Sequence, residues 1–110
     1  MYTSYPQGEA IAKLKAVGAK LAFVENPKML ATLAASLAGS DPIDIQWVLM
    51  TGSVEGVMTL EELRAKGREA MAADAQLFAR IYLAVQPEDT AIVYLTSGST
   101  GEPKMGMVSH

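Results

Sequence analysis

The chain has 110 residues, with 9 Lys and Arg against 12 Asp and Glu, a formal net charge of −3 and a pI near 5.0. That balance argues against a nucleic-acid-binding domain, which normally carries a basic face and a high pI. Half of the residues are apolar but 17 are Ala, so one core can form with little bulk to fill it, and one compact domain or a piece of one is the ceiling.

There is no cysteine, which rules out disulfides and thiolate metal sites and suits a reducing compartment. A cytoplasmic setting is the expectation, with membrane association left open for a longer enzyme. Apolar runs such as Trp47-Val48-Leu49-Met50 and Ala91-Ile92-Val93-Tyr94-Leu95 fall far short of the ~20 residues needed to cross a bilayer. The start, Met1-Tyr2-Thr3-Ser4-Tyr5-Pro6, lacks the basic and apolar regions of a secretion signal.

Ser4 and Gln7 have capping-box spacing, with Pro6 in the first turn, and Ile11, Leu14 and Val17 follow on one helical stripe that Gly18 should stop. Residues 20–25 predict a short strand. Asn26-Pro27 then supplies a cap and a first helical residue for a second helix carrying Met29, Leu30, Leu33 and Leu37. It should end near Gly39, before the turn residues Ser40-Asp41-Pro42.

Residues 45–50 predict a second buried strand, closed by Thr51-Gly52-Ser53. Thr59 and Glu62 form another capping-box pair at the head of a long helical stretch bearing Leu60, Leu63 and Met71. Gly67 and the alanines of residues 70–75 weaken that pattern, so a break is expected before Leu77, Phe78 and Ile81. Pro87-Glu88-Asp89 ends the helical material, and the apolar residues 90–96 predict a third strand covered on both faces. Strands alternating with helices imply an α/β fold with a mostly parallel sheet and right-handed crossover helices. The charged groups around Glu61 and Arg64 read as the solvated face of a helix.

The informative segment is Thr96-Ser97-Gly98-Ser99-Thr100-Gly101-Glu102-Pro103-Lys104. Glycines let backbone N–H groups turn toward an anion, hydroxyls add donors, and the lysine adds a compact positive charge, a set that suits a polyphosphate. Lying beyond the carboxyl end of a strand, the loop is where ligands bind in open α/β sheets. It is not a Walker A loop: counting from Gly98 puts Pro103 at the second glycine and Met105 at the magnesium-binding hydroxyl.

Residues Tyr94-Leu95-Thr96-Ser97-Gly98-Ser99-Thr100-Gly101-Glu102-Pro103-Lys104, with the trailing Ser109-His110, closely resemble the phosphate-binding signature of the adenylate-forming, or AMP-binding, superfamily. Upstream, Gly18-Ala19-Lys20-Leu21-Ala22-Phe23-Val24-Glu25, Thr59-Leu60-Glu61-Glu62-Leu63 and Pro87-Glu88-Asp89-Thr90-Ala91 are similar to long-chain fatty-acid–CoA ligases. One departure is Met105 directly after the lysine, where the family usually has glycine; here Gly106 comes one residue later. The resemblance implies a three-layer architecture and a partial domain. Residues 1–110 would form part of the large N-terminal AMP-binding domain, ending just after the phosphate loop and inactive alone.

By that resemblance the full-length enzyme would use ATP, Mg2+ and coenzyme A to convert a fatty acid to acyl-AMP and then to the thioester. Nucleotide contacts are assigned to Thr96, Ser97, Gly98, Ser99, Thr100, Gly101 and Lys104, with Lys104 as the catalytic residue and no metal ligand within the chain. His110 reads as the start of a helix after the loop in preference to a pocket contact, and Trp47 and Tyr94 as core residues. Three alternatives stand beside the ligase: an acyl-AMP ligase without CoA transfer, a stand-alone phosphate-binding module, and a purely structural α/β domain. As part of a larger sheet, the chain is expected to self-associate through exposed strand edges and apolar faces.

Overall fold

A computed structural model describes residues 7–38, 42–96 and 104–110. Along the chain run α1 (Gln7–Ala16), β1 (Leu21–Val24), α2 (Pro27–Leu37), β2 (Gln46–Leu49), β3 (Met58–Thr59), α3 (Leu60–Ala73), α4 (Leu77–Leu83), β4 (Thr90–Thr96) and β5 (Lys104–Ser109). Two units are distinct, Met1–Glu69 and Ala70–His110. The fold is α/β, and its larger sheet is parallel with strand order β1-β2-β3.

In the first unit each element is bounded by the local chemistry the sequence carries. Gly18, at φ +63°, ends α1. The N–H of Ala19 donates to the carbonyl of Leu14 and that of Gly18 to Lys15, both at 3.0 Å, which is the Schellman pattern that satisfies carbonyls left over at a helix end. Asn26 is extended at φ −154°, and its side-chain oxygen accepts from the N–H of Met29 at 2.9 Å, with Pro27 opening α2. Such a cap stabilises a helix by about 1 kcal/mol. The capping-box pairing expected of Ser4 with Gln7, Pro6 in the first turn, and the expected turn at Gly39, Ser40 and Asp41 lie outside the described residues.

The parallel ladder pairs Val24 with Leu49 and Phe23 with Val48. Val24, Leu30 and Leu49 form the core cluster, and Met29, Leu33, Trp47 and Val57 pack against it. Trp47 therefore has the packing role its sequence context predicts. In the central strand the consecutive residues Val48 and Leu49 are 0% and 1% exposed. Successive strand residues point to opposite faces, so both faces of β2 are covered, as a layered α/β arrangement requires. The ladder runs on past Leu49, where the N–H groups of Met50 and Thr51 donate to the carbonyls of Val24 and Glu25 at 2.8 and 2.9 Å. Gly52 then turns the chain at φ +72°, where an added Cβ would lie 2.9 Å from Pro27 Cδ. The first residue of α2 thus packs directly on the turn after β2.

Thr59 serves two elements at once. It pairs with Leu49 at the end of β3, and it closes a capping box in which the Thr59 N–H donates to the Glu62 carboxylate at 2.7 Å and the Glu62 N–H donates to the Thr59 hydroxyl at 3.2 Å. The predicted break follows α3, and its cause is Asp74 rather than Gly67, which is accommodated within the helix. The Asp74 carboxylate accepts from the N–H of Gln76 at 3.0 Å and pairs with Arg80 at 2.6 Å.

The third predicted strand is present but differs from expectation in its partner. β4 does not join the parallel sheet; it pairs antiparallel with β5 in a separate two-stranded sheet. Nor is it covered on both faces, since Ile92 is 59% exposed and Val93 and Tyr94 are also exposed. An apolar run predicts a strand but not its neighbour, and the strand-forming residues 104–109 lie only a loop away, so the local antiparallel pairing forms. The third strand of the parallel sheet is instead the two-residue β3, too short to show as a hydrophobic run.

Two expectations follow. Gly18→Ala should cost about 1–2 kcal/mol through its left-handed backbone alone, because nothing lies within 4 Å of the added Cβ. Gly52→Ala should cost more, and urea midpoints showing the two equal would contradict the Pro27 contact. The second concerns acid. The backbone N–H and hydroxyl of Thr59 hold the Glu62 carboxyl below its usual range, so its contribution is present above the unfolded pKa and is lost as pH falls through the folded one. Stability should therefore decline on acidification through the carboxylate range, and less steeply in Glu62→Gln.

Candidate functional site

The predicted phosphate loop is the connection of the β4–β5 hairpin. β-Branched and aromatic residues, Ile92, Val93 and Tyr94 on one strand and Val108 on the other, give the pair its strand preference. The register matches Thr90 with Ser109, then shifts at Ala91, then matches Ile92 with Val108, Val93 with Met107, Tyr94 with Gly106, Leu95 with Met105 and Thr96 with Lys104.

Of the predicted site residues, the structure brings Thr96 and Lys104 together as the closing pair of this ladder. Ser97, Gly98, Ser99, Thr100 and Gly101 lie outside the described residues, within the segment 97–103. Lys104 is exposed and stands where the chain returns from the loop. The hydroxyl- and glycine-rich segment thus leaves and re-enters the fold at one place, and a lysine is held at its mouth. Because β4 belongs to a hairpin, the rule that ligands gather beyond the carboxyl ends of parallel strands does not supply the reason for the location. The reason is that a hairpin connection returns its own ends to each other.

Reading the sequence missed β5 and the pairing of Tyr94 with Gly106. Tyr94 is not a core residue: it is 46% exposed and its ring lies over Gly106. An ideal Cβ on Gly106 would come within 2.7 Å of the ring's Cζ and 2.9 Å of the hydroxyl oxygen. A glycine opposite an aromatic residue leaves the vacant space a ring can cover. The alternating Met105-Gly106-Met107-Val108 run was the available signal for the strand. His110 follows β5, and its backbone N–H donates to the carbonyl of Asp89 at 3.3 Å, tying the far end of the hairpin to the turn before β4.

Among its described residues the first unit has open cavities. One of about 460 Å3 is lined by Lys20, Asp44, Gln46 and Trp47 among others, and an apolar one of about 350 Å3 by Pro27, Leu30, Ala34 and Trp47 among others. Neither contains a predicted site residue. Among the described residues there is no cluster of three or more His, Cys, Asp or Glu that could hold a metal ion. No described helix is long and apolar enough to cross a membrane.

The whole chain, residues 1–110, matches the family of AMP-binding enzymes. It belongs to that family. No curated protein and no solved structure matches it. AMP-binding enzymes are adenylate-forming ligases that act on ATP, and a loop rich in glycine and hydroxyls beside a lysine is chemically suited to such a substrate.

Ring packing over Gly106 has a direct signature. One Gly106 Hα resonance should lie upfield of its random-coil position through the Tyr94 ring current, and Tyr94→Ala should return it. A Gly106 Hα pair at random-coil positions in the native chain would contradict the geometry.

Proposed function

We propose that this chain is part of the large N-terminal domain of an ATP-dependent long-chain fatty-acid–CoA ligase, and that its β4–β5 connection holds the β- and γ-phosphates of ATP. The observation that carries the reading is the pairing of Thr96 with Lys104, which sets the lysine at the mouth of the Ser97 to Gly101 loop. The nucleotide contacts in this reading are Thr96, Ser97, Gly98, Ser99, Thr100, Gly101 and Lys104.

In the first step a carboxylate oxygen of the fatty acid attacks the α-phosphorus of ATP. The bond to the bridging oxygen breaks, acyl-AMP forms, and pyrophosphate leaves with the bonding electrons. Negative charge grows on the pyrophosphate oxygens as this bond breaks. Loop N–H groups, hydroxyls and the Lys104 ammonium then gain interaction energy in the transition state, which accelerates the step rather than merely tightening binding. In the second step the sulfur of coenzyme A attacks the acyl carbonyl carbon, the bond to the AMP oxygen breaks, and the thiol proton is released. Magnesium would travel with ATP as part of the substrate and be shared with groups outside this chain.

Long-chain acyl specificity and CoA as acceptor rest on the resemblance of Gly18 to Glu25, of Thr59 to Leu63 and of Pro87 to Ala91. The exposed Phe78, Ile81 and Leu83 leave apolar surface through which the chain on its own would self-associate.

In the complete enzyme, Lys104→Ala should lower the rate of fatty-acid-dependent pyrophosphate release by about a hundredfold or more, the scale of losing one transition-state donor. The KM for fatty acid should change little, since the lysine faces the leaving group. Unchanged pyrophosphate release would overturn the assignment.

A further inference from the structure

We draw no further inference here: the strongest candidate, the apolar cavity that Leu30, Ala34 and Leu37 of α2 form with Trp47 and Val57 in the first unit, carries none because nothing in the structure shows what covers it.

Discussion

A lysine can serve a polyphosphate only if the backbone returns it to the place where the loop's donors are, and here the return is made by the antiparallel ladder between β4 and β5. That ladder joins Thr96 to Lys104 across the loop and is anchored at its far end by the hydrogen bond from the His110 N–H to Asp89. Its apolar residues are exposed on both faces, and the Tyr94 ring lies over Gly106.

The first unit is built on the opposite principle. There the parallel ladder sets Val24 beside Leu49, and α2 lays Leu30 on them, so burial and hydrogen bonding specify the same arrangement. Small junction residues hold its elements in place: Gly18 ends α1, Asn26 starts α2, Gly52 fits beneath Pro27, and Thr59 ends a strand while capping a helix. None of these contacts is large, and each constrains where the next element can begin. The charged surface of α3 adds little to this. Glu61 pairs with Arg64 and Arg68 and its carboxyl is held below the usual range by Arg68 first and Arg64 second, but these groups are open to solvent, where such pairs contribute little.

Features encoded within a few residues were legible in the sequence. Asn26-Pro27, Gly18 and the Thr59 and Glu62 box name their own structural roles because capping is a local hydrogen-bonding problem. The α/β class followed from the alternation of strands and helices. What a strand pairs with was not legible, because the apolar run of residues 90–96 is compatible with a parallel neighbour far away or an antiparallel one next door. The two-residue β3 offered no pattern, and Asp74, whose side chain ends the long helical stretch, was hidden by the more obvious Gly67. At the site, residue types marked the loop, while the ring of Tyr94 over Gly106 emerged only from the register.

Phosphate binding by the connection between Thr96 and Lys104 is the step on which the proposed ligase chemistry rests. Titrating the isotopically labelled chain with ATP, and separately with inorganic pyrophosphate, tests it most directly. The amide resonances of Gly98, Gly101 and Lys104 should shift with both ligands while those of Val24 and Leu49 stay in place. Loop resonances that do not move with either ligand would contradict it.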